Sequence, residues 1–445
     1  MIYILLACII IMFIFAFFVS NEDILAPAVI VCLMWMFSTV CAIYNIDNWG
    51  IDLHLNTIVV IVSGLLSVAI GSCIGKYTSP IKVHLFRTER RVYEEAKSLK
   101  IISVWKLAII ALIIVNTVTV LYQLKWVLSQ VGNIGVWSEM MKAYRSGSSS
   151  WSTDSVSKPS LLSNLETLLS VTTYVMAYIG INNIFAGQKK VKTVIYFIPA
   201  FLFAVDKLLN AGRGDILLFF GAVVLCVYIN MQIKYNWKKK VSRKYIKYMI
   251  AAVIAIVLLF SASRSWVGRT NESGMLEYVT KYAGGSIQLF DLYMQQPEPA
   301  SDIFGKETFH TAINYLGRLM NKSEWRYIAH LEFRYSNGIN LGNVYGAFRY
   351  YIYDFGYIGL FLLSILVGFF YTYLYRRIQL SKVLSKDGFT WKIIIYMYFA
   401  PSLFMFSIAD YTYALLVNVV ALIKWFVFAW VIKRILVNRR FPIKH

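Results

Sequence analysis

Charge is scarce in this chain. Asp, Glu, Lys and Arg together make up 15% of its 445 residues, against roughly 25% in an ordinary soluble domain. Acid is the scarcer sign, with 23 Asp and Glu facing 44 Lys and Arg, a formal charge of +21. Hydrophobic residues reach 58% and the mean hydropathy is +0.60. A soluble core of this size cannot bury that much apolar surface, so the composition calls for a bilayer as solvent. Cysteine is sparse too. Cys8, Cys32, Cys41, Cys73 and Cys226 all lie inside apolar runs, and none stands at metal-ligand spacing from a histidine. They read as small buried hydrophobes and exclude a disulfide framework.

Several motifs are missing as well. There is no Walker A loop, no GxGxxG after a strand, no HExxH, no GxSxG and no paired CxxC. Asp-x-Asp, the usual metal clamp for a nucleotide sugar, is also absent. ATP hydrolysis and cytoplasmic nucleotide-sugar chemistry are therefore disfavoured, and neither a metal nor a cofactor is expected. The basic excess does not point to nucleic acid, because the Lys and Arg sit between apolar runs, the pattern of cytoplasmic loops. The opening run Met1–Ser20 has no basic n-region and no small-residue cleavage site, and reads as a retained span rather than a signal peptide.

What is present is a series of apolar stretches. With about 20 residues needed per crossing, eleven spans are expected, at 2–20, 25–44, 57–75, 104–124, 161–184, 193–210, 214–232, 248–264, 350–375, 393–409 and 411–432. The expected fold is an all-α polytopic integral membrane protein of 10 to 12 spans. It divides into 1–263 with eight spans, a polar loop over 264–345, and 346–445 with three spans and a basic tail. The segments 76–103, 187–192, 233–247, 376–392 and 433–445 hold 27 of the 44 Lys and Arg, and alternation puts them all on one side. The positive-inside rule makes that side cytoplasmic, with the C-terminus inside. The loop 45–56, with Asp47 and Asp52 and no Lys or Arg, then faces out, as do 125–160, the turn 209–215 and the loop 264–345.

That last loop holds eight basic and eight acidic residues between Arg264 and Tyr345, a balance that fits a folded cap better than a solvating tail. Two helices are expected inside it. Residues 273–295 place Met275, Tyr278, Tyr282, Ile287 and Phe290 at near-helical spacing, and 306–321 place Phe309, Ile313, Leu316 and Met320 on one stripe. Such stripes suit a helix on the membrane surface or one capping a cavity.

The outward arginines Arg145, Arg213, Arg264, Arg269, Arg318, Arg326, Arg334 and Arg349 are the positive chemical signal. A diphosphate at the membrane surface needs fixed donors at that height, and the always-charged planar fork of arginine supplies them. The alternative for each is a snorkelling side chain that marks the interface. Arg213 stands apart because Gly212 and Gly214 flank it and permit close backbone approach. His310 and His330 are bases by chemistry, with Asp291, Glu324 and Glu332 as carboxylate alternatives. Asp354, near a span end, reads as either functional or helix-capping. Trp325, Tyr327 and Tyr335 offer faces on which sugars stack.

The long outward loop, Ala211-Gly212-Arg213-Gly214-Asp215 between two spans, and Gly342-Asn343-Val344-Tyr345 followed by Asp354-Phe355-Gly356 and Gly359 resemble the bacterial oligosaccharide repeat unit polymerases, the Wzy-type O-antigen and capsule polymerases. The resemblance is architectural over most of the chain, and by motif it covers 211–215 and 340–359. It implies a GT-C-like membrane glycosyltransferase at the outer face of the bacterial cytoplasmic membrane. Its substrate would be an undecaprenyl-diphosphate-linked oligosaccharide, with a chain-length regulator and a flippase as partners beside the lipid bilayer. On that view Arg213 with Arg264 or Arg349 holds the donor diphosphate. Arg269, Arg318, Arg334, Asp354, Trp325 and Tyr335 line the substrate, and His310, or else Asp291 or Glu332, takes the acceptor's proton. An O-antigen ligase would use the same donor with another acceptor. A transporter or flippase would carry charges deep in its spans and inverted repeats, and a non-catalytic assembly or sensor protein would have a dispensable loop.

Overall fold

The computed structural model describes residues 1–78, 99–132, 135–148, 158–237, 257–269, 274–325, 331–381 and 387–437, with positions 247, 251 and 254. Positions 248–250, 252, 253, 255 and 256 of the expected span 248–264, and Arg326, Tyr327 and His330, lie outside the described residues.

The described chain is mostly helical. Seven of its helices are long and apolar enough to cross a membrane: Ile2–Val19, Pro27–Tyr44, Leu55–Thr78, Lys106–Val131, Ser160–Phe185, Gly214–Lys234 and Ala347–Gln379. Three other expected spans are broken, and the breaks have local causes. The stretch 193–210 begins as a 3-10 turn, Val194–Phe197, before the helix Ile198–Leu209, with Pro199 in its first turn. In 393–409 the helix Trp391–Phe399 gives way to a 3-10 turn, Ala400–Met405, at Pro401, which has no N–H to offer the ladder. The stretch 411–432 divides into Tyr411–Leu416 and Val419–Val437. The first pair of expected spans stays separate, because Asn21 (φ 58°) and Glu22 (φ 61°) turn the chain through the left-handed region.

The side-chain pattern is that of a protein dissolved in lipid. Helix Lys106–Val131 turns Leu107, Ile110, Ile114, Val118 and Leu121 outward, while Asn116, Thr119 and Gln123 are buried. Helix Ile2–Val19 likewise exposes Ile4, Ile11, Phe15 and Phe18. An apolar exterior around a polar interior reverses the soluble arrangement, and it marks the chain as a multi-pass membrane protein.

The chain forms two compact units. The first comprises Met1–Val83, Ser273–Ile378 and Phe399–Val419. Here helices approach through glycine. A Cβ on Gly71 would lie 2.0 Å from the Ile365 carbonyl oxygen, and one on Gly368 2.0 Å from that of Val68. Helix Met275–Gln295, from the long loop, packs on Pro27–Tyr44, with Gly284 against the backbone of Cys41 and Ala42. Ser38 Oγ donates to the Ala283 carbonyl at 2.5 Å beside this contact. That helix is thus a packed element of the bundle, and not a surface helix. The short hairpin Arg334–Ser336 and Ile339–Gly342 follows it. Ser336 Oγ donates to the Trp49 carbonyl at 2.6 Å and Asn337 Nδ2 to that of Asn48 at 3.1 Å. The loop 45–56 and the hairpin Arg334–Gly342 therefore meet at one end of this unit. At the other end Lys76 Nζ donates to the Val19 carbonyl at 2.8 Å, and Tyr375 OH to Asp23 Oδ2 at 2.7 Å.

The second unit comprises His84–Glu272, Gln379–Tyr398 and Val420–His445. At one end Asn182 Nδ2 and Asn183 Nδ2 hold the carbonyls of Lys100 and Ile102 at 2.8 and 3.0 Å. At the opposite end lie Gln123, Glu166 and Asn210, joined by side-chain hydrogen bonds. In each unit the segments expected on one side of the membrane share an end.

The glycine contacts give the first prediction. Gly368→Leu forces a side chain into the Val68 backbone, which cannot move aside as a flexible side chain would, at a cost of about 1–3 kcal/mol or more. The melting temperature in detergent is expected to drop, with Gly71→Leu behaving alike. Unchanged melting in both variants would contradict the close backbone contact.

Candidate functional site

Two groups of arginines emerge, and their surroundings differ. In the first unit Arg349, in the opening turn of Ala347–Gln379, is buried to 1% exposure. Its Nη1 bonds Glu307 and its Nη2 donates to Glu332 Oε2 at 2.9 Å. Three rings surround the guanidinium, with centroids at 4.6 Å (Tyr293), 5.3 Å (Tyr345) and 5.0 Å (Tyr353). Arg334 lies 3.3 Å from the other Glu332 oxygen and 3.7 Å from Glu298, and donates to the carbonyls of Leu292 at 2.7 Å and Gln296 at 2.6 Å. Tyr345 OH donates to the Glu332 carbonyl at 2.9 Å. Burial pushes the Tyr293 hydroxyl up to about 12, so it stays a neutral phenol.

This group is a knot. Glu307, Glu332 and the helix beginning at Ala347 come from separate stretches of chain, and one guanidinium ties them. Two arginines face three carboxylates, so the knot carries no surplus positive charge for a diphosphate. Asp354 accepts from the backbone N–H of Thr308 at 2.6 Å and of Glu307 at 3.2 Å, which makes it a cap for the turn before His310. His310 Nδ1 meets the Glu307 carbonyl at 2.9 Å. A carbonyl only accepts, so Nδ1 carries the hydrogen. Burial holds this imidazole below its ordinary value, against the pull of the Asp354 carboxylate.

Asp291 is occupied differently. It is buried, and it accepts from His54 N at 2.9 Å and Thr57 Oγ1 at 2.6 Å, holding the start of helix Leu55–Thr78. Its other oxygen lies 3.0 Å from His54 Nδ1, while the His54 side chain is 55% exposed. A buried carboxylate that orients an exposed imidazole is the arrangement of a general base. The sequence reading had named Asp291 but not His54. Arg318 is exposed on His310–Leu319. Trp325 packs over Gly317 under Lys322 Nζ, 4.9 Å from its ring, and Tyr335 is 61% exposed. All three sit at the loop surface.

The second group belongs to the other unit. Arg213, 6% exposed, is the N-cap residue of Gly214–Lys234. Its Nη1 donates to the Phe260 carbonyl at 2.8 Å, and its guanidinium lies 4.1 Å from the centre of the Phe260 ring. Arg264 Nε donates to the next carbonyl, Ser261, at 3.1 Å, and Arg269 N donates to the Arg264 carbonyl at 3.0 Å. Arg264 and Arg269 thus share one turn, and Arg213 reaches the chain just before it at Phe260. The turn is pressed onto helix Trp137–Ser148 at Gly268 (φ 65°), where a Cβ would stand 2.2 Å from Lys142 N. Trp137 Nε1 donates to the Trp266 carbonyl at 3.1 Å. Both Phe260 groups, the carbonyl and the ring, are neutral. The N-terminus of a 21-residue helix adds its positive end to the same place. Chemically this is an anion cradle at a membrane end.

No known family model, curated protein or solved structure matches the chain.

Glu307 and Phe260 were invisible from sequence, because their roles rest on pairings across long stretches of chain. Two predictions follow from the knot. Removing Arg349 strands the buried Glu307 carboxylate and leaves Glu332 to Arg334 alone, so Arg349→Ala is expected to cost about 3–5 kcal/mol and to reduce the folded yield sharply. A variant as stable as the wild type would contradict the knot. His310 is kept neutral, so its contribution to stability is whole above about pH 6.5 and is lost as pH falls through the lowered folded value. His310→Gln is therefore expected to melt with less acid sensitivity than the wild type just below that pH. Equal sensitivity would count against a buried neutral ring.

Proposed function

We propose that this chain is a membrane glycosyltransferase that polymerises undecaprenyl-diphosphate-linked oligosaccharide repeat units at the outer face of the bacterial cytoplasmic membrane. The observation that carries the reading is the gathering of Arg213, Arg264 and Arg269 at the N-terminus of Gly214–Lys234. Guanidinium groups fixed at the membrane end suit a diphosphate whose lipid tail stays in the bilayer.

The chemistry is direct displacement. The acceptor hydroxyl oxygen forms a bond to the anomeric carbon of the donor glycan. The bond from that carbon to the diphosphate oxygen breaks, and undecaprenyl diphosphate leaves with the electron pair. The hydroxyl proton passes to a base. Negative charge grows on the leaving diphosphate, and fixed arginines stabilise that growth more than they stabilise the ground state. Snorkelling side chains would not be fastened to carbonyls and a ring in this way.

The test is a ladder gel from purified protein in lipid discs, supplied with lipid-linked repeat units. Wild type is expected to build a ladder. Arg213→Ala should slow it by on the order of 100-fold or more, and Arg213→Lys should recover only part of the loss, because a point charge lacks the planar fork. Transfer of the glycan onto another lipid would make the protein a ligase, and movement of intact substrate without a new bond would make it a transporter. A normal ladder from both Arg213 variants would remove the anion cradle from the mechanism.

A further inference from the structure

The turn that carries Arg213 stands on a half-buried polar hub. Asn210 closes helix Ile198–Leu209, and its side chain reaches several segments at once. Its Nδ2 donates to Glu166 Oε1 at 3.0 Å and to the Asp206 carbonyl at 2.9 Å. Its Oδ1 accepts from Gln123 Nε2 at 3.1 Å and from Lys158 Nζ at 2.5 Å. Lys158 also donates to the same Glu166 oxygen at 2.6 Å. Lys207 lies 3.4 Å from Asp206 and 3.7 Å from Asp215, which stand before and after the turn.

The backbone above the hub needs this support. The N–H groups of Asn210, Ala211 and Gly212 return to the carbonyls of Asp206, Leu208 and Lys207, each at 3.0 Å. Ala211 sits at φ +54°, in the left-handed region. A residue with a Cβ holds that strained conformation only where its surroundings enforce it. The enforcing contacts are the hub bonds of Asn210, one residue before, and the packing of Ala211 on the buried group Val127, Met140, Met141 and Tyr144. Arg213 follows two residues later. The backbone that carries its side chain is therefore set through Asn210, and Asn210 is held by Glu166, which also fastens Lys158.

The hub is costly for a structural device. Asp206 is fully buried, and its Oδ1 and the Gln123 Oε1 have no hydrogen-bond partner among the described residues. Apolar packing of similar volume would stabilise the unit at least as well. An arrangement that leaves acceptors unsatisfied while fixing one turn is built for the position of that turn.

We propose that Asn210, clamped by Glu166, is a positioning residue for diphosphate recognition, acting through the Arg213 turn. The substrate class rests on the polymerase reading above, and the geometry does not. Asn210→Ala removes the hub and frees the turn. Glu166→Gln keeps an oxygen acceptor in the same place and preserves more of the clamp.

The experiment measures affinity for undecaprenyl diphosphate by thermal protection of the purified full chain, beside KM and kcat for lipid-linked repeat units. Asn210→Ala is expected to weaken protection and to lower kcat/KM by about 10- to 100-fold, the scale of a displaced group, with kcat falling in the same direction as in Arg213→Ala. Glu166→Gln should retain most of the affinity. An Asn210→Ala protein that melts lower yet binds with wild-type affinity overturns the proposal, because Asn210 would then be structural alone. If Asn210→Ala does not fold, Gln123→Ala removes one hub bond and carries the same test: weaker protection supports the hub and unchanged protection overturns it. Wild type that binds undecaprenyl diphosphate without making polymer overturns the polymerase reading and leaves the positioning claim standing. Wild type that polymerises, with wild-type affinity in the variants, overturns the positioning claim alone.

Discussion

Lipid offers a polar group no partner, and that constraint organises each unit. Polar side chains within the spans must find one another or the backbone. Asn182 and Asn183 do so by holding the carbonyls of Lys100 and Ile102. Tyr371 OH does so with Ser402 Oγ at 2.6 Å, and Asp410 by capping the helix Tyr411–Leu416 through the N–H groups of Thr412 and Tyr413. With no hydrophobic gain available between helices in lipid, close contact must supply the cohesion, and Gly71, Gly284 and Gly368 let backbones touch. The polar ends of the helices are where loops can fold, and both arginine groups lie there.

The same side chain type meets opposite fates in those two groups. Arg349 is enclosed by carboxylates and rings, so its charge is spent holding three stretches of chain together. Arg213 is held in place by a carbonyl and a ring. An arginine that binds an anion has to be immobile, and the Phe260 carbonyl and ring immobilise Arg213. Exposure does not separate the two, since both are buried.

Sequence revealed the architecture better than the chemistry. Apolar length found the spans because burial in lipid depends on local composition, and the stripe at Met275–Gln295 revealed a helix because periodicity is local. It misjudged where that helix lies, since Gly284 against Ala42 is a pairing across most of the chain. Pro199 and Pro401 were readable as breaks but lay inside runs whose hydropathy outweighed them. Arg213 stood out through its flanking glycines. The grouping of Arg264 with Arg213, the carboxylates around Arg349 and the pairing of His54 with Asp291 depend on tertiary contacts, which carry no mark in the linear order of residues.

The most direct test of the account is a structure of the protein in lipid with undecaprenyl diphosphate bound. The account predicts the diphosphate at the N-terminus of Gly214–Lys234, with its oxygens in hydrogen-bond reach of the Arg213 guanidinium and the Arg264–Arg269 turn beside it. A diphosphate bound elsewhere, with that turn empty, would contradict the claim that this arginine cluster is the lipid-diphosphate site.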